Sequence, residues 1–223
     1  MGPDRPDREN GAIRAVVFDF DGTLTPLTLD FSNMRSEVET LARRFVEEHV
    51  IKSLSHLYVI EFIYELEALL GESGRGLRRL AFDRMAELET ETARGKELYP
   101  YAREVLRELR GKGLKIAIVT RNCLAALKNV FPDMDEYVDS VKTRDDVARV
   151  KPHPDHVAAV LAALNATPDE AVLVGDHPTD IAAGLAVGAQ TVGVLTGRTQ
   201  HADFEKAGAH HIANDIRDMK RFL

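Results

Sequence analysis

Cysteine is nearly absent from the chain: Cys123 stands alone among 223 residues. That excludes an internal disulfide framework and a cysteine-based zinc site. Dense blocks of Lys and Arg are missing too, and the formal net charge is −7. A general nucleic-acid partner is therefore not expected, although one small phosphorylated molecule needs only a few local cations. The polar start, MGPDRPDRENGAIR, has no apolar centre, so no export signal is expected. No long hydrophobic run occurs. The most apolar stretch, 54–70, is interrupted by His56, Glu61, Glu65 and Glu67, which suits an amphipathic helix and not a membrane span. Repeats and low-complexity tracts are lacking as well. The expectation is a cytoplasmic protein with neither membrane nor nucleic acid as partner, its oligomeric state left open.

What is present is ample apolar material, 44% of residues, enough for one domain or a core carrying an insert. An aliphatic run at 13–18 is followed about a hundred positions later by LKIAIVT. Between them lie three helical patterns, over 33–50, 54–70 and 77–93, with GESGRG breaking the second from the third. Tyr99-Pro100 opens another helix, which GKG closes. Thereafter strand and helix alternate: a helix at 124–130, a short strand at 137–141, a helix at 155–164, the strand AVLVG, a helix at 179–187 and the strand QTVGV. This order predicts an α/β fold, a Rossmann-like three-layer parallel sheet with helices on both faces. The early helical block is then an inserted α-helical domain, giving a core of 1–27 plus 98–223 and an insert of 28–97.

Polar residues fall at the strand ends. AVVF runs into Asp19 and Asp21, KIAIV into Thr120, Arg121 and Asn122, and AVLV into Gly175 and Asp176. In an open parallel sheet these ends share one edge, where ligands bind. Taken singly, an acid after a strand is a helix cap or turn former, and Lys151 in VKPHPD a surface lysine. Taken together, Asp19, Asp21, Asp176 and Asp180 gather carboxylates in one crevice, which calls for a hard divalent cation such as Mg2+. Lys151 and the Thr120 hydroxyl supply donors of the kind a phosphate needs. Asp19 and Asp21, two apart at a buried strand end, would be costly without a cation or proton to relieve them.

DFDGTLT, a strand ending in TRN, the lysine of KPHPD, and GDHPTD resemble, in order and spacing, the four motifs of the haloacid dehalogenase superfamily. The likeness spans about 12–194, and the insertion looks like that family's mobile helical cap. The resemblance implies a nucleophilic Asp19 forming an aspartyl-phosphate. It makes Asp21 the acid that protonates the leaving alcohol and then the base that activates water. Thr120 and Lys151 would hold the phosphoryl oxygens. Gly22 would allow a sharp turn and Thr23 would add a hydroxyl, with Arg121 and Asn122 also near the phosphate. Mg2+ would be held by Asp19, by Asp21 through its backbone carbonyl, and by Asp176, with Asp180 as a further ligand or neighbour.

The chain departs from the family pattern at His177, where serine is commoner, and at Arg121, which would add a cation near phosphate or a salt bridge to the cap. His153 and His156 read as surface residues at a helix start, and Cys123 as packed. Retention of Asp21, Asp176 and Asp180 speaks against a metal-free dehalogenase, and Thr23-Leu24 leans from phosphomutase toward phosphatase. Substrate choice is assigned to the cap, whose Arg35, Arg43, Arg44, His49, Lys52 and His56 either meet a substrate anion or form a solvated face. The expected activity is a Mg2+-dependent phosphatase for a small phosphorylated metabolite, phosphoglycolate-like in the first instance. A phosphomutase, a pyrophosphatase, a phosphoacceptor signalling domain and a non-catalytic phosphate binder remain alternatives, though a signalling receiver would be uncapped and would carry its acceptor on the third strand.

Overall fold

The structure is a computed structural model and describes residues 12–223; the N-terminal stretch read for an export signal lies, up to residue 11, outside the described residues. Six strands, β1 (Ala15–Phe18), β2 (Lys115–Val119), β3 (Ser140–Lys142), β4 (Ala171–Gly175), β5 (Gln190–Val194) and β6 (His211–Ala213), form one parallel sheet in the order β3-β2-β1-β4-β5-β6. In register, Val16 faces Ile116 on one side and Val172 on the other. Between β1 and β2 run α1 (Phe31–Ala42), α2 (Glu48–Ser53), α3 (Val59–Leu70) and α4 (Glu72–Thr92). The core helices are α5 (Ala102–Gly111), α6 (Leu124–Val130), α7 (Pro154–Leu164), α8 (Pro178–Val187) and α9 (His201–Ala207). Among the described residues no helix is long and apolar enough to cross a membrane.

The aliphatic runs become central strands because both their faces are covered. Val16, Phe18, Ile116 and Ile118 pack with α5 and α6. Their neighbours Ala15, Val17, Ala117 and Val119 pack on the opposite side with α7 and α8. This is the three-layer Rossmann-like α/β arrangement that the alternation predicts. Helices α1–α4 close a separate apolar core around Met34, Ile51, Phe62, Leu66 and Met85. Two connectors join that block to the sheet, and they are tied to each other: Tyr99 N–H donates to the Leu24 carbonyl (2.9 Å) and the Thr25 hydroxyl to that of Glu97 (2.7 Å).

Three local expectations are corrected. The pattern over 33–50 is not one helix but α1 and α2 with a turn between them. On a straight helix Ile51 would lie roughly 100° round from Met34; the turn returns both to one core. The strand expected at 137–141 begins only at Ser140, because Tyr137 and Val138 are buried as loop residues against the core after a 3-10 turn. GESGRG does not separate helices over its whole length. Only Gly71, at φ +59, makes the break, and α4 absorbs the rest.

Gly74 explains why this is tolerated: a Cβ there would stand 2.5 Å from the Glu67 carbonyl oxygen, so its absence lets α4 fold back tightly on α3. Gly74→Ala is expected to destabilise the protein by about 1–3 kcal/mol through overpacking. Urea unfolding measures it, and an unchanged midpoint would remove the close-approach explanation.

Candidate active site

The strand order turns back on itself at β1, with β2 on one side and β4 on the other, and the C-terminal ends of these three strands form a crevice. Asp19 follows β1 so closely that its N–H still donates to the Val174 carbonyl (2.8 Å). Its carboxylate accepts from the Lys151 ammonium (2.7 Å), which also donates to the Val119 carbonyl (2.8 Å) and pairs with Asp180 (2.6 Å). Lys151 is fully buried. Burial works against its charge, but Asp180 and Asp19 outweigh it and hold the ammonium above the ordinary lysine range.

Asp176, just beyond β4, completes an acidic group: oxygens of Asp19, Asp176 and Asp180 lie within 4.8 Å of one another. Burial, with Asp19 and Asp180 adding repulsion, pushes Asp176 up to about 9. Burial likewise pushes Asp19 up to about 6, Lys151 opposing it. Three carboxylates facing one ammonium leave excess negative charge in a desolvated place, and the donors are all hard oxygens. That set fits a divalent cation such as Mg2+. The backbone closes tightly around it: a Cβ on Gly22 (φ +87) or Gly197 would overlap the Asp176 carboxylate, and one on Gly175 that of Asp180.

Asp21 stands apart from this group. Its carboxylate accepts from the Lys96 ammonium (2.7 Å) and from Asn122 Nδ2 (2.8 Å). Of the four acids expected around a metal, three side chains therefore come together and the fourth turns to other partners. Asn122, expected at the phosphate, orients Asp21 and also accepts the Cys123 N–H (2.7 Å). The Thr120 hydroxyl oxygen accepts the Asn122 N–H (3.1 Å), which leaves its proton free for a ligand. Thr23 does not reach the crevice. The tight turn in which Leu24 N–H donates to the Phe20 carbonyl (2.9 Å) carries it inward, where its hydroxyl is buried without a hydrogen-bond partner among the described residues.

Arg121 realises one of its two expected contacts, a salt bridge to Glu61 of α3 (2.8 Å). His177 caps α8, accepting the Thr179 N–H (3.3 Å), and its ring meets Tyr58 edge-on with centroids 5.3 Å apart. Burial holds its imidazole below the usual histidine range. Cys123 is buried, and that burial pushes its thiol up.

Other site neighbours were not foreseen. His156, expected at the surface, is fully buried. Its Nδ1 accepts the Lys151 N–H (3.3 Å) and its Nε2 faces the carbonyls of Lys142 and Thr143 (3.2 and 3.1 Å). Burial, reinforced by Lys151, pushes it down to about 3, so it is a neutral brace for the lysine loop. Lys96, from the connector after α4, reaches Asp21. Glu89 of α4 forms a two-pronged ion pair with Arg144 (2.6 and 2.9 Å), and both side chains are buried. Glu89 also accepts the Cys123 N–H (3.1 Å), and Arg144 donates to the Arg121 carbonyl (2.8 Å).

Asp19, Asp21, Thr120, Lys151, Asp176 and Asp180 open onto a cavity of about 400 Å³ bounded by the strand ends on one side and the helical insertion on the other. Of the six basic residues singled out on the insertion, Arg35 alone lines it among the described residues. Arg44, His49, Lys52 and His56 are exposed, and Arg43 pairs with Glu48 on the surface.

The chain is 32% identical over 186 residues to pyrophosphatase PpaX of Bacillus cereus, covering 82% of this chain and 83% of that protein. Against the Bacillus anthracis pyrophosphatase PpaX the identity is 30% over 220 residues, covering 94% and 99%. Among solved structures, CbbY from Rhodobacter sphaeroides in complex with phosphate superposes with a TM-score of 0.61 at 22% identity, covering 93% of this chain and 96% of that one. The family profile of haloacid dehalogenase-like hydrolases matches residues 13–188. With the fold, the order of the strand-end residues and the relatives in agreement, this chain belongs to the haloacid dehalogenase-like hydrolases.

Proposed function

We propose that this hydrolase is a cytoplasmic, Mg2+-dependent phosphatase that acts on a small phosphorylated metabolite through an aspartyl-phosphate on Asp19. One observation carries the reading: two carboxylates border one cavity in opposite settings. Asp19 lies against the Lys151 ammonium at 2.7 Å, beside Asp176 and Asp180. Asp21 lies outside that cluster, held by Lys96 and Asn122 at 2.7 and 2.8 Å. The first setting suits attack on phosphorus and the second suits traffic of a proton.

An Asp19 oxygen attacks phosphorus, the bond to the leaving oxygen breaks, and protonated Asp21 delivers its proton to the departing alkoxide. Asp21, now a base, takes a proton from water as that water attacks the phosphoryl group. The bond to Asp19 breaks, and inorganic phosphate leaves. Lys151 and the Thr120 hydroxyl donate to phosphoryl oxygens as charge grows on them. Mg2+ held by Asp19, Asp176 and the Asp21 carbonyl, with Asp180 beside them, would offset the carboxylate charge and polarise the phosphoryl group. The relatives' name favours a second reading, inorganic pyrophosphate, in which phosphate itself is the leaving group.

The test is Mg2+-dependent phosphate release from p-nitrophenyl phosphate and a panel of phosphate esters; no release from any of them sinks the proposal. Asp21→Asn is expected to slow steady release by about 10²–10⁴-fold while phosphoenzyme accumulates under acid quench. With p-nitrophenyl phosphate, whose leaving group departs without a proton, equal loss of labelling and release would remove Asp21 from the base role.

Metal dependence has a stability signature. Asp176 and Asp19, pushed up to about 9 and about 6 from an ordinary 3.8, retain protons in the folded state that the unfolded chain has lost. At these two groups the folded state therefore binds more protons between pH 4 and 9, which lowers stability as pH rises by up to about 1.4 kcal/mol per pH unit for each group titrating alone. His156 and His177, held below the usual histidine range by burial, act in the opposite sense below about pH 7. With chelator present, Tm is expected to decline from about pH 7 to 9, above the range in which the buried histidines oppose the acids. Saturating Mg2+ should flatten that decline; parallel profiles with and without Mg2+ would count against cation binding by these acids.

A further inference from the structure

We infer that the alcohol half of the substrate is uncharged and carries an apolar, preferably aromatic, body. The inference rests on the phosphatase reading and deepens it. Beyond the strand-end groups, the cavity is walled by Leu29, Met34, Val59, Ile60 and Met85 from the insertion and its connector. Two aromatic side chains of the same wall, Phe31 and Tyr58, are 43% and 57% exposed, where most large apolar side chains of this chain are covered. Exposed aromatics that line a cavity mark a surface for an apolar ligand.

The cations point the same way. Among the described residues, those lining the cavity are Arg35, Arg121 and Lys151. Arg35 donates to Glu39 (2.7 Å) and to the Leu57 and Leu54 carbonyls (2.8 and 3.2 Å), with its guanidinium carbon 3.8 Å from the centre of the Phe62 ring. Arg121 is neutralised by Glu61, and Lys151 belongs to Asp19 and Asp180. Arg198 stands 5.9 Å from the Phe31 ring centre and does not line the cavity. A carboxylate or second phosphate in the outer half would thus meet apolar walls, Glu89 and arginines already paired, and burying an unpaired anion is unfavourable. Ser55 remains for a hydroxyl, and the Ser32 hydroxyl, which donates to Asp30 (2.7 Å), can still accept one. A cavity of about 400 Å³ also has room for a body larger than glycolate beside the phosphoryl group.

The experiment compares kcat/KM for ethyl, n-hexyl and benzyl phosphate, 2-phosphoglycolate and inorganic pyrophosphate with Mg2+. The four esters all release primary alcohols, which limits differences in leaving-group reactivity. Each methylene buried is worth about fourfold, so hexyl and benzyl phosphate are expected to exceed ethyl phosphate by roughly tenfold or more. They should exceed 2-phosphoglycolate and pyrophosphate by a wider margin. The double variant Phe31→Ala/Tyr58→Ala should shrink the benzyl-to-ethyl ratio at least about fivefold, as removal of apolar contact requires, while Tyr58→Phe should keep it. Turnover of 2-phosphoglycolate or pyrophosphate at or above that of benzyl phosphate overturns the inference and leaves the phosphatase reading standing. So does an unchanged ratio in the folded double variant. Absence of release from every compound, p-nitrophenyl phosphate included, overturns both.

Discussion

Asp19→Asn is expected to abolish phosphate release, by on the order of 10⁴-fold or more, and to leave no phosphoenzyme under acid quench. The amide oxygen is a poor nucleophile, and with Asp19 gone no other carboxylate of the group has the same place. Asp176 and Asp180 are both buried, and Asp180 is held by Lys151 (2.6 Å) and the His177 N–H (3.1 Å). The fold should survive. The substituted amide oxygen would still accept from Lys151, and one of three crowded carboxylates would be neutral, so without Mg2+ the variant's Tm should equal or exceed that of the parent. The same relief should weaken Mg2+ binding, which reduces the Tm rise on adding the ion. The discriminating result is the combination: activity lost, metal-free stability kept. Release within tenfold of the parent would remove Asp19 from the chemistry, and a large metal-free Tm loss would mean that its charge is structural.

Much of this site was legible because the sheet prints it into the sequence. Central strands buried on both faces must be short aliphatic runs, so Asp19, Thr120 and Asp176 stood out where AVVF, KIAIV and AVLV end. Helix starts rich in Pro and acids located Lys151 and Asp180. What was missed came from residues whose partners are far away in the chain. Lys96 sits in a connector with no pattern around it, and only the fold brings it across 75 positions to Asp21. Two misses did leave a trace. His156 shares a face of α7 with the buried Val160 and Leu164 at steps of four, a register that argues for burial even in a histidine. Glu89 continues the series Leu77, Ala81, Met85 on the buried side of α4, again at steps of four. A carboxylate on an apolar stripe announces a buried partner. The apolar cavity wall left no trace of its role, since Leu29, Met34 and Ile60 read like any amphipathic core.

Glu89→Ala is expected to be the most destabilising single change in the insertion. It would leave the Arg144 guanidinium, fully buried and already with an Nε unpartnered among the described residues, without its paired carboxylate. Breaking a buried pair from one side costs about 3–5 kcal/mol, a Tm loss of roughly 6–20 °C for a chain of this size. Replacing both partners with apolar groups of similar volume removes that penalty, so Glu89→Leu/Arg144→Met should recover most of the stability. It should not recover activity. Glu89 and Asn122 share the Cys123 N–H (3.1 and 2.7 Å), Asn122 in turn holds Asp21 (2.8 Å), and Arg144 holds the Arg121 carbonyl (2.8 Å). Without the pair, the turn from Thr120 to Cys123 loses its anchor on α4, and Asp21 loses definition through Asn122. The double variant should therefore keep KM for a small ester within a few-fold while kcat falls by about tenfold or more, as misplacing a catalytic group requires. Phosphoenzyme should then form and hydrolyse more slowly, since Asp21 serves both halves. Full activity in the restored double variant would reduce the Glu89–Arg144 pair to a fastening of the insertion and nothing more.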